Sequence, residues 1–254
     1  MSSNNTQKLG GQVAVVTGAS KGIGASIAQH LAAAGASVVV NYSSSKADAD
    51  SVVADITRAG GKAVAVQGNV SKRADIVRLF AETKKAFGKV DILVNNAGIY
   101  EMKPLAEITE EHFHKQFDLN VLGLLLTTQE AVKHIGPTGG SIINISSVVS
   151  TWGTPGGSVY SATKGAVDTI TRALAKELAP QKIRVNGLRP GLVHTEGTST
   201  AGIIGSDFEK GYAAMAPLGR VGVPDDIATA AVFLASSDSS WITGEELLIS
   251  GGVR

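Results

Sequence analysis

The sequence contains no cysteine. Disulfide bridges, thiolate catalysis and cysteine-ligated metal centres are therefore excluded. It has almost no excess of one charge: 23 basic residues face 22 acidic ones, for a net +1. No dominant electrostatic footprint is left for nucleic acid or an anionic membrane surface. Long apolar runs are missing too. Val38-Val39-Val40 and the leucines of 122–126, broken by Gly123, are far short of the ~20 apolar residues that cross a bilayer. The first twelve residues are polar and lack the apolar stretch of a secretory signal, so none is expected. The five histidines, His30, His112, His114, His134 and His194, make no convincing metal-ligand set. His112 and His114 sit two apart on a helical stretch and are expected to face apart on a solvated surface. These exclusions together predict a metal-free protein in a reducing, cytoplasmic setting.

What is present is a chain of 254 residues with 43% hydrophobic content, enough for a sizeable core. Short β-branched runs at residues 13–17, 37–41, 63–67, 92–95, 141–146, 184–188 and 246–249 alternate with helical stretches. The helical stretches are 23–34, 47–58, 74–87, 110–134, 160–179 and 224–235. Alternation of this kind predicts βαβ units and a parallel sheet. Nearly pure apolar strands predict a sheet covered on both faces. The expected fold class is α/β, a Rossmann-like doubly wound parallel sheet, whose ligands bind beyond the C-terminal strand ends. Residues 1–10 are read as a flexible N-terminus and 11–254 as a single catalytic domain, with no internal repeat or low-complexity linker.

Motifs fall where such a fold needs them. The first strand runs into Gly18-Ala19-Ser20-Lys21-Gly22-Ile23-Gly24 and then a helix. Small residues let backbone approach a pyrophosphate, and the helix start offers unpaired N–H groups. The second strand ends Asn41-Tyr42-Ser43-Ser44, with no acid before Asp48. An acid there would hold a ribose 2′-hydroxyl and repel a 2′-phosphate. Its absence, with Lys21 in the turn, predicts a preference for NADP(H), NAD(H) being the alternative. Tyr160 and Lys164 lie one helical turn apart, so an ammonium group stands beside a phenol whose free pKa is about 10. A nearby cation favours the phenolate and so fits the phenol for proton transfer. Ser147, thirteen residues before Tyr160 and just past an apolar strand, is placed to hydrogen-bond the same substrate oxygen. Asn95-Asn96-Ala97-Gly98 closes the fourth strand with small residues suited to a close ligand approach.

In combination these motifs resemble the short-chain dehydrogenase/reductase family, in its classical branch. The resemblance rests on Thr17-Gly18-x-x-x-Gly22-x-Gly24, Asn95 to Gly98, Asn120, Ser147, Tyr160-x-x-x-Lys164 and Pro190-Gly191, in family order, and it covers roughly 11–252. It implies that Tyr160 is the catalytic acid/base and that Ser147 polarises the substrate carbonyl. Lys164 is implied to lower the tyrosine pKa and to bond the nicotinamide ribose. Asn120 is implied to hold a water that relays protons through Lys164. It further implies that Asn96, Ala97 and Gly98, with Pro190, Gly191, Val193 and Thr195, flank the cofactor. Two departures stand out. Asn69-Val70 replaces the family's Asp-Val near adenine, and Ser250 precedes Gly251-Gly252 where an aspartate is common. Arg189, before Pro190, is either structural or turned into the cleft.

The implied activity is NADP(H)-dependent hydride transfer to or from a ketone or secondary alcohol, as in carbonyl or 3-oxoacyl reductases. One rival is a catalytically silent nucleotide-binding regulator of the same fold. Another is a related epimerase or dehydratase, which needs a longer chain. Residues 192–217, rich in Gly, Ser, Thr and Ala, read as a substrate lid, and Tyr100, Val149, Trp152 and Pro155 as pocket lining. Surplus apolar positions on the helices around 107–134 and 160–179, with the stretch 246–254, predict a homotetramer.

Overall fold

Seven strands and the helices between them form the sheet that the alternating pattern predicts. This computed structural model describes residues 7–254. The strands are β1 (Val13–Val16), β2 (Ser37–Tyr42), β3 (Lys62–Gln67), β4 (Ile92–Asn95), β5 (Gly140–Ile145), β6 (Ile183–Pro190) and β7 (Glu246–Ile249). They pair in parallel in the order β3-β2-β1-β4-β5-β6-β7. β1 pairs with β2 on one side and β4 on the other, so the winding reverses there and a crevice opens beyond their C-terminal ends.

Successive strand residues point to opposite faces, and both faces are apolar. Val16, Val38, Val40 and Ile143 pack under α1 (Gly22–Ala33), α2 (Lys46–Arg58) and α9 (Pro224–Ala235). Val15, Val39, Leu93 and Ile142 pack under α3 (Arg73–Phe87), α5 (Leu124–Val132) and α6 (Ser158–Leu178). A buried polar ladder crosses the second layer. The Asn95 amide donates to Thr128 and Asn144, each at 2.9 Å, and the Asn144 amide donates to Thr171 at 2.9 Å. It ties β4 and β5 to α5 and α6 beside the crevice. Satisfied buried networks of this kind rigidify what they join.

The chain departs from expectation in three places. Residues 110–134 are not one helix. α4 (Glu110–Phe117), a wide π turn (Asp118–Gly123) and α5 follow one another. An inserted residue widens the turn, and Gly123 lets it press on the 67–70 loop, where a Cβ would stand 2.8 Å from Val70 O. Residues 192–217 carry two helices, α7 (Glu196–Thr200) and α8 (Asp207–Met215), with Thr195 and Ser206 accepting from their first-turn amides. Of the stretch read as a flexible N-terminus, residues 1–6 lie outside the described residues. Leu9, however, is fully buried and its amide donates to Ala34 O at 2.8 Å, so the packed chain begins before residue 11.

Candidate active site

The glycine turn is held from below by Thr17 and Asn96. The Thr17 hydroxyl accepts from the amides of Asn96 and Ala97, both at 3.0 Å. The Asn96 side chain donates to Thr17 O at 2.9 Å and Gly18 O at 3.0 Å. Gly18 has φ +59°, and a Cβ there would fall 2.9 Å from Ala97 Cα. A Cβ on Gly24 would fall 2.5 Å from Gly18 O, so the turn closes only without side chains. α1 starts at Gly22 with no side-chain cap from Lys21. Its first N–H groups stay open to an anion, which fits the diphosphate of a dinucleotide.

A cavity of about 550 Å³ continues from the turn, lined by Ser20, Ser43, Asn69, Val70 and Ala97 among others. Asn69 shapes it locally, accepting from Ser71 N at 3.0 Å and Ser71 Oγ at 2.8 Å. The end of β2 differs from the sequence reading. The Asn41 side chain, 1% exposed, accepts from Gly18 N at 3.3 Å and donates to Val66 O and Gly68 O at 3.2 and 3.0 Å. It is a clamp behind the glycine turn with its amide already used. Tyr42 is buried in the core. Asn41 nevertheless lines the cavity together with Ser43, Ser44 and Ser45, while Tyr42 does not. Lys21 stands toward the α2 side, its Nζ 3.1 Å from Asp48 Oδ2, with both side chains about half exposed.

Ser147, Tyr160 and Lys164 meet on one wall of a larger cleft of about 770 Å³. Asn96, Gly98 and Ile99 line both spaces. β5 ends at Ile145, so Ser147 leaves the sheet edge, and the first turns of α6 present Tyr160 and Lys164 across from it. Lys164 Nζ donates to Ile145 O at 2.9 Å and lies 5.7 Å from the Tyr160 ring centroid. Gly98 passes between this lysine and Asn120. A Cβ there would stand 3.2 Å from Asn120 Oδ1 and 3.7 Å from Lys164 Nζ. The Asn120 amide itself is spent, donating to Ile99 O at 2.8 Å and Thr163 Oγ1 at 3.2 Å and accepting from Ile99 N at 2.9 Å.

Burial dominates the electrostatics. It pushes the Tyr160 phenol up to about 12, a rise eased by its hydrogen bond with Ser147 and reinforced by Tyr100. It pulls Lys164 down to about 8, against the opposing pull of the Asp168 carboxylate. The lysine stands beside the Tyr160 ring, where its spacing predicts it. Its ammonium is directed at Ile145 O.

Tyr100, Val149, Trp152 and Pro155 all line the cleft, as read from sequence. So do Ile23, Pro190, Gly191, Val193 and Thr195. Among the described residues Lys164 is the only formally charged side chain in the lining. Arg189 is turned away from the cleft, toward Asp168 (3.8 Å) and Thr151, to which it donates. Two readings needed other signals. His112 is not solvated: it is 3% exposed, with Nε2 3.0 Å from Glu101 O. Asp168, one turn beyond Lys164, had a visible i+4 spacing but no motif to mark it. No cluster of His, Asp or Glu among the described residues is arranged to hold a metal ion.

The chain's likenesses agree with this geometry. A family profile described as enoyl-(acyl carrier protein) reductase matches residues 18–254. An uncharacterized oxidoreductase of Methylorubrum extorquens is 60% identical, covering 97% of this chain and 99% of that protein. The chain belongs to the short-chain dehydrogenase/reductase family. A hydroxynaphthalene reductase-like protein of Metarhizium majus is 40% identical over 99% of this chain and 98% of its own. The crystal structure of a blue fluorescent protein from a metagenomic library, in complex with NADPH, superposes with a TM-score of 0.90. It is 34% identical and covers 97% of this chain and 99% of its own. As a member of this family the chain is an oxidoreductase acting on CH–OH or C=O groups with a nicotinamide cofactor.

Proposed function

We propose that this chain is an NADP(H)-dependent carbonyl reductase that interconverts a ketone and a secondary alcohol. The observation that carries the reading is the meeting of Ser147, Tyr160 and Lys164 on the wall of an apolar cleft that runs into the glycine turn. A bound nicotinamide cofactor supplies or accepts the hydride. The chain binds, orients and moves the proton. Gly18, Gly22, Gly24 and the open amides of α1 take the diphosphate. Ser20, Ser43, Asn69 and Val70 line the adenosine side, and Ile23, Pro190, Gly191, Val193 and Thr195 wall the nicotinamide side.

Ser147 and Tyr160 direct hydroxyl donors at the carbonyl oxygen. Negative charge grows on that oxygen during reduction, and donors fixed in advance favour the transition state over the ground state. Tyr160 then gives its proton. A charged Lys164 favours the phenolate that remains. Asn120 fixes Ile99 and Thr163 around the lysine. Residues 192–217 act as a lid, with Leu192, Phe208 and Tyr212 reaching the cleft.

The NADP(H) preference rests on the missing carboxylate at the end of β2 and on the hydroxyls of Ser43 and Ser44, which line the cavity there. The Lys21–Asp48 pair is half exposed and weakly held, so Lys21 is free to swing to a 2′-phosphate. For the substrate, a lining whose one charge is Lys164 supports an uncharged carbonyl compound with an apolar or aromatic body. The 40% identical relative named hydroxynaphthalene reductase-like points the same way. Oxidation of NADPH is followed with bicyclic aromatic ketones, 3-oxoacyl thioesters and 2-oxo acids. Turnover of the first two classes and not the third is expected. NADPH that binds but is oxidised by no carbonyl would leave the rival, a silent nucleotide-binding regulator.

A further inference from the structure

Behind the cleft, on the side away from substrate, lies a second group of ionisable residues. Asp168 sits on α6 one turn beyond Lys164 and is 5% exposed. It accepts from the Ser146 hydroxyl, which also donates to Lys164 O at 3.3 Å. Its other oxygen faces the Arg189 guanidinium from β6 at 3.8 Å. Glu246 approaches from β7, opposite Gly187 of β6 in the register. Its carboxyl fills the space that a side chain on Gly187 would take. Both Glu246 oxygens are buried, and among the described residues neither has a partner in hydrogen-bond geometry, the Thr171 hydroxyl on α6 offering only a weak contact. That hydroxyl already donates to Val167 O at 2.9 Å, so it satisfies the carboxyl only in part. The charged groups facing Glu246 are Asp168 and Arg172 from α6 and Arg189 from β6.

We propose that Asp168 and Glu246 form a carboxyl pair that shares one negative charge, Glu246 keeping its proton at neutral pH, and that Asp168 is thereby a positioning residue that keeps Lys164 charged. A buried carboxylate short of donors is strongly disfavoured, and such a group takes a proton instead. The charge belongs on Asp168, which has a hydroxyl donor and a guanidinium. Asp168 then faces Lys164 as a lone negative charge and opposes the desolvation that would strip the lysine's proton. The pKa directions agree. Burial, then Asp168, pushes Glu246 up to about 8, with the Thr171 hydroxyl contact, Arg172 and Arg189 acting against them. Asp168 is also the group that raises Lys164. The inference rests on the role given above to Lys164, but its first tests do not use activity.

The sign of the linkage fixes the experiment. Glu246 is raised from 4.5 to about 8, so the stability it contributes is present below 4.5 and is lost as pH rises through about 8. The melting temperature of the wild type relative to Glu246→Gln should fall across that window. In an Asp168→Asn background the window should move to lower pH, because the like charge is gone. The same comparison for Lys164→Met should show the Lys164 window also moving to lower pH in Asp168→Asn. Windows that stay in place in Asp168→Asn would overturn the proposal, whatever the melting temperatures themselves do. Should Asp168→Asn not fold, infrared difference spectra of the wild type decide. A protonated-carboxyl band present at neutral pH and lost through about 8 is expected, and its absence would sink the idea. Once a substrate is in hand, the alkaline limb of kcat/KM should move down in Asp168→Asn and recover in Asp168→Glu. An unmoved limb would also overturn the positioning role. Failure to turn over any carbonyl would count against the proposed function alone and leave the stability arms standing.

Discussion

Tyr160 and Lys164 show how a residue's neighbours set its chemistry. Their spacing puts them on one helical face, but burial holds the phenol at about 12 and the ammonium near 8. The pair is therefore primed as a proton donor, with the phenol neutral, rather than as a standing phenolate. Tyr160→Phe removes only the ionisable hydroxyl. Turnover should fall by roughly 10²–10⁴-fold, the range of acid–base assistance, while fluorescence titration shows NADPH binding retained. Wild-type turnover in the folded variant would reject the role. Cofactor choice is the second test at this scale. The ratio of kcat/KM for NADPH over NADH should exceed one at low salt, and Lys21→Ala should reduce it by removing a charge-assisted contact. A ratio at or below one in the wild type refutes the preference. These residues also mark the limit of sequence reading. Tyr160, Lys164 and Ser147 were legible because chemistry restricts their types and spacing. Asn41 was legible only in part, because an amide at a strand end can line a ligand cavity and clamp a turn at once, and only the Gly18, Val66 and Gly68 backbone around it reveals the clamp.

At the scale of elements, the strands were legible because β-branched residues buried on both faces leave no polar alternation to confuse them. Helix ends near 33, 58 and 87 were legible for a similar reason, each being followed closely by glycine. The break inside 110–134 was not, since a π turn leaves the helical periodicity on either side nearly intact. The signal was present in Asn120 and Gly123, two poor helix formers among leucines, whose reasons lie in distant partners: Ile99 and Thr163 for one, Val70 for the other. Gly123 is the sharper test. A methyl group there would stand 2.8 Å from Val70 O and 3.3 Å from Asp118 O, both backbone atoms with little room to yield. Gly123→Ala should lose about 1–3 kcal/mol of stability despite alanine's better helix propensity. Urea denaturation at constant slope measures it. A variant more stable than the wild type would show that the turn does not depend on this contact.

At the scale of the molecule, apolar surface remains that a lone subunit does not cover. Leu122, on the outer side of the π turn, is 46% exposed and Phe113 on α4 is 41% exposed. At the far edge of the sheet all four residues of β7 are only half-buried, and Trp241 just before it is 98% exposed. An outermost strand beside an exposed tryptophan invites pairing, and such edges are seldom left bare. The two patches sit on different parts of the molecule, α4 with the π turn on one and the β7 edge on the other. Each can meet its own copy across a two-fold axis, and two such axes generate a tetramer with dihedral symmetry. Not every surplus apolar position contributes. Leu124 and Val167 are buried inside their own subunit, whereas Leu122 and Ala173 are exposed. Light scattering at micromolar concentration should give a mass about four times 26.0 kDa. Trp241→Glu should leave dimers joined through the α4 and π-turn face, and Leu122→Glu should leave dimers joined at the β7 edge. A wild-type mass equal to one chain rejects both contacts, and a wild-type dimer that Trp241→Glu leaves intact rejects the β7 edge.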